Sequence, residues 1–191
     1  MPANNATTFP AAGTDPTTDL RIDCYVRSAV PGPIAATIES VVDRLQRLSD
    51  RDRITDYEIT LWPPAHDPST DSKAATRTRD SLVDTFEQWA DRHGYSLAPA
   101  FRRETIPSSP LGCGPGEPHE RVRVPLVALV VRETDSRGER ADDRDLRGIV
   151  PCTDTSSDRT YTVDDWLSAI ERGDIRSQTF RADELTVINS Q

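Results

Sequence analysis

The chain has a single lysine, Lys73, among its 191 residues, and every other basic side chain is arginine. It has only three cysteines, three histidines and one methionine. Cys24, Cys113 and Cys152 are odd in number and far apart, which excludes the paired framework of a disulfide-stapled domain. No apolar run approaches the ~20 residues of a membrane-crossing helix, so no membrane partner is expected. The opening stretch, MPANNATTFPAAGTDPTTD, has neither the basic start nor the apolar run of a secretion leader. The expected location is the cytoplasm. Apolar residues make up 35% of the chain and aromatics 6%, so a core has to be drawn from a few concentrated segments.

What is abundant is acid. The formal net charge is -9, and aspartate clearly outnumbers glutamate. With arginine in place of lysine, the pattern resembles that of proteins adapted to molar salt, especially in haloarchaea; the alternative is an ordinary acidic protein from a high-GC mesophile. At such salt the Debye length falls to ~3 Å and repulsion between carboxylates nearly vanishes. Short carboxylates stay hydrated, and arginine keeps a planar hydrogen-bonding head without lysine's long apolar stem. The same screening weakens counterion release for every protein, so the acidic balance does not exclude DNA as a partner.

The pattern of apolar residues predicts an α+β fold, a mixed sheet in the order β-α-β-α-β-β-β-α with helices packed on it. Residues 1–18 have no periodicity and read as a disordered tail. A single domain is expected over 19–173. In LRIDCYVRS, Leu20, Ile22, Cys24 and Val26 alternate with polar residues, a half-buried strand. Ile34, Ile38, Val41, Val42, Leu45 and Leu48 then form one helical stripe over 33–48, with Pro33 in the first turn. ITDYEITLW is the second strand, expected to lie parallel to the first through a right-handed crossover. A second helix is predicted over 72–93, capped by Asp71 or Thr70, with Ala75, Leu82, Phe86, Trp89 and Ala90 buried and Gly94 ending it. A third strand follows over 96–106, and the Pro/Gly-rich stretch after it is an irregular loop. RVRVPLVALVVRE is the strongest strand; its continuous apolar run over 126–131 predicts a central position covered on both faces. The charged segment 133–147 reads as a solvated hairpin tip, and GIVPC as the returning strand. Thr162 caps the last helix, 162–172, with Asp165 at the capping-box position and Gly173 past its end. Residues 174–191 read as a weakly ordered tail with one short strand at TVI.

No catalytic constellation emerges, and neither a metal nor a cofactor is expected. Cys113 and His119 share a loop, with Cys152, His66 and His93 elsewhere, but zinc sites show paired ligands at short spacing. Cys152 sits where a strand enters a helix, which can depress a thiol pKa; without a histidine base beside it, a small buried apolar residue is the preferred reading. GCGPGEP has three glycines but neither a lysine nor a following helix, so it fails the context of a phosphate loop. Asp142, Asp143, Asp145, Asp164 and Asp165 read as solvated surface, the last two favoured also by a helix dipole. Trp89 and Trp166 read as core, and Trp62, before Pro63, as partly exposed.

Several segments resemble a family of small haloarchaeal proteins of uncharacterised activity, commonly labelled helix-turn-helix or winged-helix. They are DLRIDCYVRS, the helix after PGP, YEITLW, FEQWADRHG and VPCTDTSSDRTYTVDDWL. The resemblance covers roughly 19–172, and its most specific part is 150–167. The long charged hairpin 133–147 and the Pro/Gly loop 105–120 depart from the family pattern. The resemblance implies a non-enzymatic regulatory or interaction domain associated with transcription, with DNA or a protein as partner. In a winged variant, the segment 96–132 or the hairpin over 126–152 would serve as the wing. The alternative function is a small-ligand binder or thiol enzyme using the crevice near Arg27 and Cys152.

Each predicted helix follows a strand. If those strands run the same way, the helix N-termini gather at the carboxyl edge of the sheet, where ligands of open sheets bind. Unpaired N–H groups and positive dipole ends suit that edge to an anion. The residues delivered there are Arg27, Ser28, Trp62, Cys152, Asp154 and Tyr161. Arg27 would hold an anion, or pair with Asp154 in a surface salt bridge. The composition carries one direct consequence. Dialysis from molar KCl into dilute buffer should loosen the fold, seen by circular dichroism as lost helical signal and a lower melting temperature. Unchanged melting at ~50 mM KCl, where the Debye length exceeds ~10 Å, would overturn the salt-adaptation reading.

Overall fold

Strand β1 (Leu20–Val26) carries out the alternation read from its sequence. Ile22, Cys24 and Val26 are buried on one face, while Asp23 and Tyr25 lie on the other. The computed structural model describes residues 20–28, 30–64, 78–106, 119–133 and 145–173. The predicted tails, 1–18 and 174–191, and the centre of the charged segment, 134–144, lie outside the described residues.

Helix α1 (Gly32–Ser49) has proline in its first turn, where the missing N–H costs nothing, and buries Leu45 and Leu48. It returns the chain to β2 (Asp56–Leu61), which pairs with β1 in parallel, as a crossover requires. On the other edge of β1 lies β6 (Val127–Glu133), antiparallel along the whole of β1. Next to β6 is β7 (Leu146–Val150), also antiparallel, with a bulge between Val131 and Arg132. The sheet order is β2-β1-β6-β7. From Ala128 to Val131 no side chain of β6 is exposed, because both faces of this central strand are covered.

Helix α2 (Arg79–Arg92) covers the Tyr25 face. Phe86 meets Tyr25 edge-on at 6.0 Å, and Trp89 Nε1 donates to the Leu146 carbonyl at 3.1 Å. Helix α3 (Val163–Arg172) packs with α1 against the opposite face. Arg44 of α1 donates to Glu171 at 2.8 Å, Ser168 at 2.9 Å and Asp164 at 2.5 Å, spanning the length of α3. The ends of α3 are those expected from its sequence. Thr162 and Asp165 form a reciprocal capping box, and Gly173 closes the helix at φ 74° in the left-handed region. The Thr162 hydroxyl holds the Asp165 carboxyl below its ordinary value.

The class is α+β, but there are more strands than predicted. The stretch 96–106 is two strands, β3 (Tyr95–Ser96) and β4 (Arg102–Ile106). The stretch RVRVPLVALVVRE is also two, β5 (His119–Arg123) and β6, because Pro125 has no N–H to give a ladder. Pro151 likewise divides β7 from β8 (Cys152–Asp154), and β9 (Arg159–Tyr161) returns as a hairpin. The small strands form two satellites, β3-β8-β9 and β4-β5. The cap of α2 is Thr78, whose hydroxyl accepts from the Ser81 N–H at 3.3 Å, rather than Asp71 or Thr70; residues 72–77 lie outside the described residues.

Asp23 is a charged residue in the middle of this central pairing. It is 8% exposed, and Arg132, 3% exposed, donates to it at 2.7 Å. Removing Arg132 leaves the buried carboxylate, among the described residues, with only the longer bond from Arg21 Nε, at 3.3 Å. Arg132→Met should therefore cost about 3 kcal/mol in denaturant unfolding. The double variant Asp23→Leu/Arg132→Met should recover most of that loss. Simple addition of the two single losses would show that the pair is uncoupled.

Candidate anion-binding cleft

β1 ends at Val26 and β2 at Leu61, and these two residues are register partners. Arg27, Ser28 and Trp62 therefore leave the sheet side by side at its carboxyl edge. The Trp62 N–H donates to the Val26 carbonyl at 3.0 Å, and its Nε1 to the Pro125 carbonyl at 3.1 Å. The ring stacks on Tyr25 at 4.9 Å and meets Phe86 and Phe101 edge-on. Trp62 is only 6% exposed, which corrects the expectation of a partly exposed ring. It closes the floor of the edge rather than standing above it.

Helix α2 starts beside this floor. Arg79, its first residue, donates from Nε to the Pro63 carbonyl at 3.0 Å and from its backbone N–H to Pro64 at 3.2 Å. The facing wall is β5. Val122 and Val124 point into the core at 2% exposure each, so the alternation turns Arg121 and Arg123 outward. Arg27 Nη2 donates to the Val124 carbonyl, tying the end of β1 to this wall. Arg123 pairs with Glu104 of β4 at 2.8 Å. The whole hairpin is anchored on α2 by Arg103, which donates to Asp84 at 2.5 Å and to Glu87 at 2.7 Å.

The space between these elements is a cleft of about 270 Å³. Arg27, Arg79, Arg121 and Arg123 line it together with Ser28, and among the described residues no carboxylate lines it. The guanidiniums interact unfavourably. Arg79 is held below its ordinary pKa first by burial and then by Arg121, with Arg27 adding to the effect and Asp80 opposing it. It remains cationic at neutral pH. Among the described residues, the Arg121 side chain makes neither a hydrogen bond nor an ion pair. Converging guanidinium forks are matched by an anion with several acceptor oxygens, and the first turn of α2 adds its positive dipole end.

The structure thus brings Arg27, Ser28 and Trp62 to one cleft and places Cys152, Asp154 and Tyr161 elsewhere, on the β8-β9 hairpin. Cys152 is buried, and its thiol is pushed up to about 12 by burial, with Asp154 adding to the shift. It is not a thiolate at neutral pH. Asp154 turns back on its own loop. It accepts from the Ser156 hydroxyl at 2.6 Å and from the Ser156 and Ser157 N–H groups, and these bonds lower its carboxyl pKa, the hydroxyl of Ser156 most. Tyr161 is buried beneath the Arg159 guanidinium, 5.3 Å from the ring centre. The Arg27–Asp154 bridge does not form, because Arg27 lies at the cleft, tied to the Val124 carbonyl, and Asp154 lies on the β8-β9 hairpin. Cys113, His66 and the GCGPGEP loop lie outside the described residues. His93 stacks on Trp89, with Nδ1 2.7 Å from the Trp89 carbonyl oxygen. Among the described residues, no group of three or more metal-ligating side chains converges.

Arg79, Arg121 and Arg123 were missed by sequence reasoning. Two signals pointed to them. Arg-Val-Arg-Val alternation sets two arginines on one face of a strand, and an arginine in the first turn of a helix opposes the helix dipole. Among the described residues, strands separate the successive helices, and no helix is long and apolar enough to cross a membrane. Comparison with curated proteins and with solved structures found no match to this chain. A family model described as a helix-turn-helix domain matches residues 14–174, most of the chain, and the chain belongs to that family.

Proposed function

We propose that this protein is a non-enzymatic regulatory domain that binds DNA and grips the phosphate backbone with its arginine cleft. One observation carries the reading: in a chain of net charge -9, four arginines and, among the described residues, no acidic residue line a single concavity. Membership of the helix-turn-helix family supports DNA as the polyanion. Helix α2 and the β4-β5 hairpin that follows it then act as helix and wing on either side of the bound backbone.

Arginine suits the setting that the composition points to, a salt-rich cytoplasm. There the Debye length is ~3 Å and long-range attraction to DNA is weak. Binding has to rest on short bidentate hydrogen bonds, which guanidinium makes and ammonium does not. Phosphate contacts of this kind set position and orientation, and they carry no sequence information by themselves.

Fluorescence anisotropy of a labelled duplex, followed across a KCl series, tests the reading. Arg121→Ala and Arg123→Ala should each weaken binding uniformly across sequences and flatten the logarithmic salt slope by about one. Arg92→Ala, at the far end of α2, should leave binding unchanged. Melting should barely move in the two β5 variants, since both side chains are exposed. A parent chain that retains no duplex overturns the proposal. So does a double variant that binds as the parent does. Stabilisation by inorganic phosphate without duplex retention would instead mark the cleft as a small-anion site.

A further inference from the structure

Among the described residues, the three large apolar side chains most exposed to solvent lie at one corner of the fold. Ile59 and Leu61 of β2 are 45% and 58% exposed, and Ile34 of α1 is 41% exposed. In register, Ile59 faces Cys24 and Leu61 faces Val26, so both point to the face whose β1 residues are almost fully buried. Ile34 is in the first turn of α1, which begins six residues after β1 ends, at the edge where Leu61 finishes. Helix α1 buries Leu45 and Leu48 near its end, while Ile34 in its first turn and Ile59 and Leu61 of β2 stay exposed. β2 is also the first strand of the sheet, and among the described residues nothing pairs with its outer edge. A free edge beside exposed isoleucine and leucine is the arrangement that proteins ordinarily blunt with charge or proline, unless it is used.

We infer that this edge is the interface of a homodimer, in which β2 pairs antiparallel with β2 of a second copy across a two-fold axis. The sequence of β2 argues for that occupant. An axis through Ile59 sets Ile59 against Ile59, and Tyr57 against Leu61 in both directions, an unbroken apolar row on the α1 face. On the other face, Glu58 then lies opposite Thr60, so no carboxylate meets another. An axis through Glu58 would bring two glutamates together, and a one-residue shift would put residues of opposite faces side by side. Glu58 is also neutralised within its own protomer by Arg21. Pairing in this register joins two four-stranded sheets into one continuous sheet and covers Ile59 and Leu61 of both copies. The contact is isologous and closes on itself, so it yields a dimer and not a filament. It is independent of what the arginine cleft binds.

Light scattering on the full chain in ~2 M KCl, where carboxylate repulsion is screened, measures the mass directly. The parent should weigh twice 21.2 kDa. Ile59→Glu and Ile59→Lys should each weigh 21.2 kDa and keep the parent's circular dichroism, because the site is exposed in the protomer, while melting loses the concentration dependence that a dimer gives the parent. A parent of 21.2 kDa at every concentration overturns the inference, as does a dimer that survives both substitutions. If removing residues 174–191 converts a monomeric parent into a dimer, the chain's own last segment holds the edge, and the inference also fails.

Discussion

The pairing of β1 with β2 on one edge and with β6 along its full length on the other fixes the positions of the helices and the small strands. Ile22 and Cys24 are completely enclosed, which requires cover from α1 and α3, and Tyr25 on the opposite face requires α2. Into this pairing the chain places Asp23, whose buried charge is met by Arg132 across the strands. A slip of one residue between β1 and β6 would part that pair and turn the apolar set of β1 to the wrong face. Register is thus specified twice, by burial and by charge.

The cleft follows from the same pairing. Parallel strands need a crossover and therefore end together, with the chain leaving each of them at the same edge. β1 contributes Arg27 and Ser28 there, β2 contributes Trp62, and α2 enters at Arg79. The β4-β5 hairpin completes the cleft because Phe101 and Val122 belong to the aromatic and aliphatic core beneath it. Its outward residues are therefore held at a set height above the sheet edge. The arginines are brought together by apolar burial under them, not by attraction among themselves, since they repel.

Elsewhere in the molecule arginines are placed by acid. Arg44 clasps α1 to α3 through Asp164 and Glu171, and Arg103 clasps the hairpin to α2 through Asp84 and Glu87. Such exposed or half-buried pairs are worth little singly, but bidentate arginine at a junction fixes geometry. The cleft differs in that Glu104 is paired with Arg123 from outside it and, among the described residues, no acidic side chain lines it.

Much of the fold was legible in the residues. The alternation of β1, the stripe of α1, the unbroken apolar run of β6 and the capping box of α3 are local signals, and each depends only on periodicity or on a cap within a few residues. The strand-end position of Arg27, Ser28 and Trp62 was legible for the same reason. Local signals did not place the three other arginines. Periodicity says that Arg121 and Arg123 share a face of a strand, but not which element that face looks upon. Pro125 breaks what reads as one long strand, and only the completed packing shows β5 leaving β6 to pair with β4 beside the start of α2. Cys152, adjacent in sequence to the end of β7, was carried away from the cleft for a related reason: Pro151 redirects the chain into the small sheet with β3. The sequence by itself determined most of the elements and most of the core, Trp62 and the strands divided around 97–101 and at Pro125 excepted, because those depend on side-chain hydrophobicity and near neighbours. The tertiary structure alone decided which exposed charges meet, because that depends on strand order and on contacts between residues far apart in the chain.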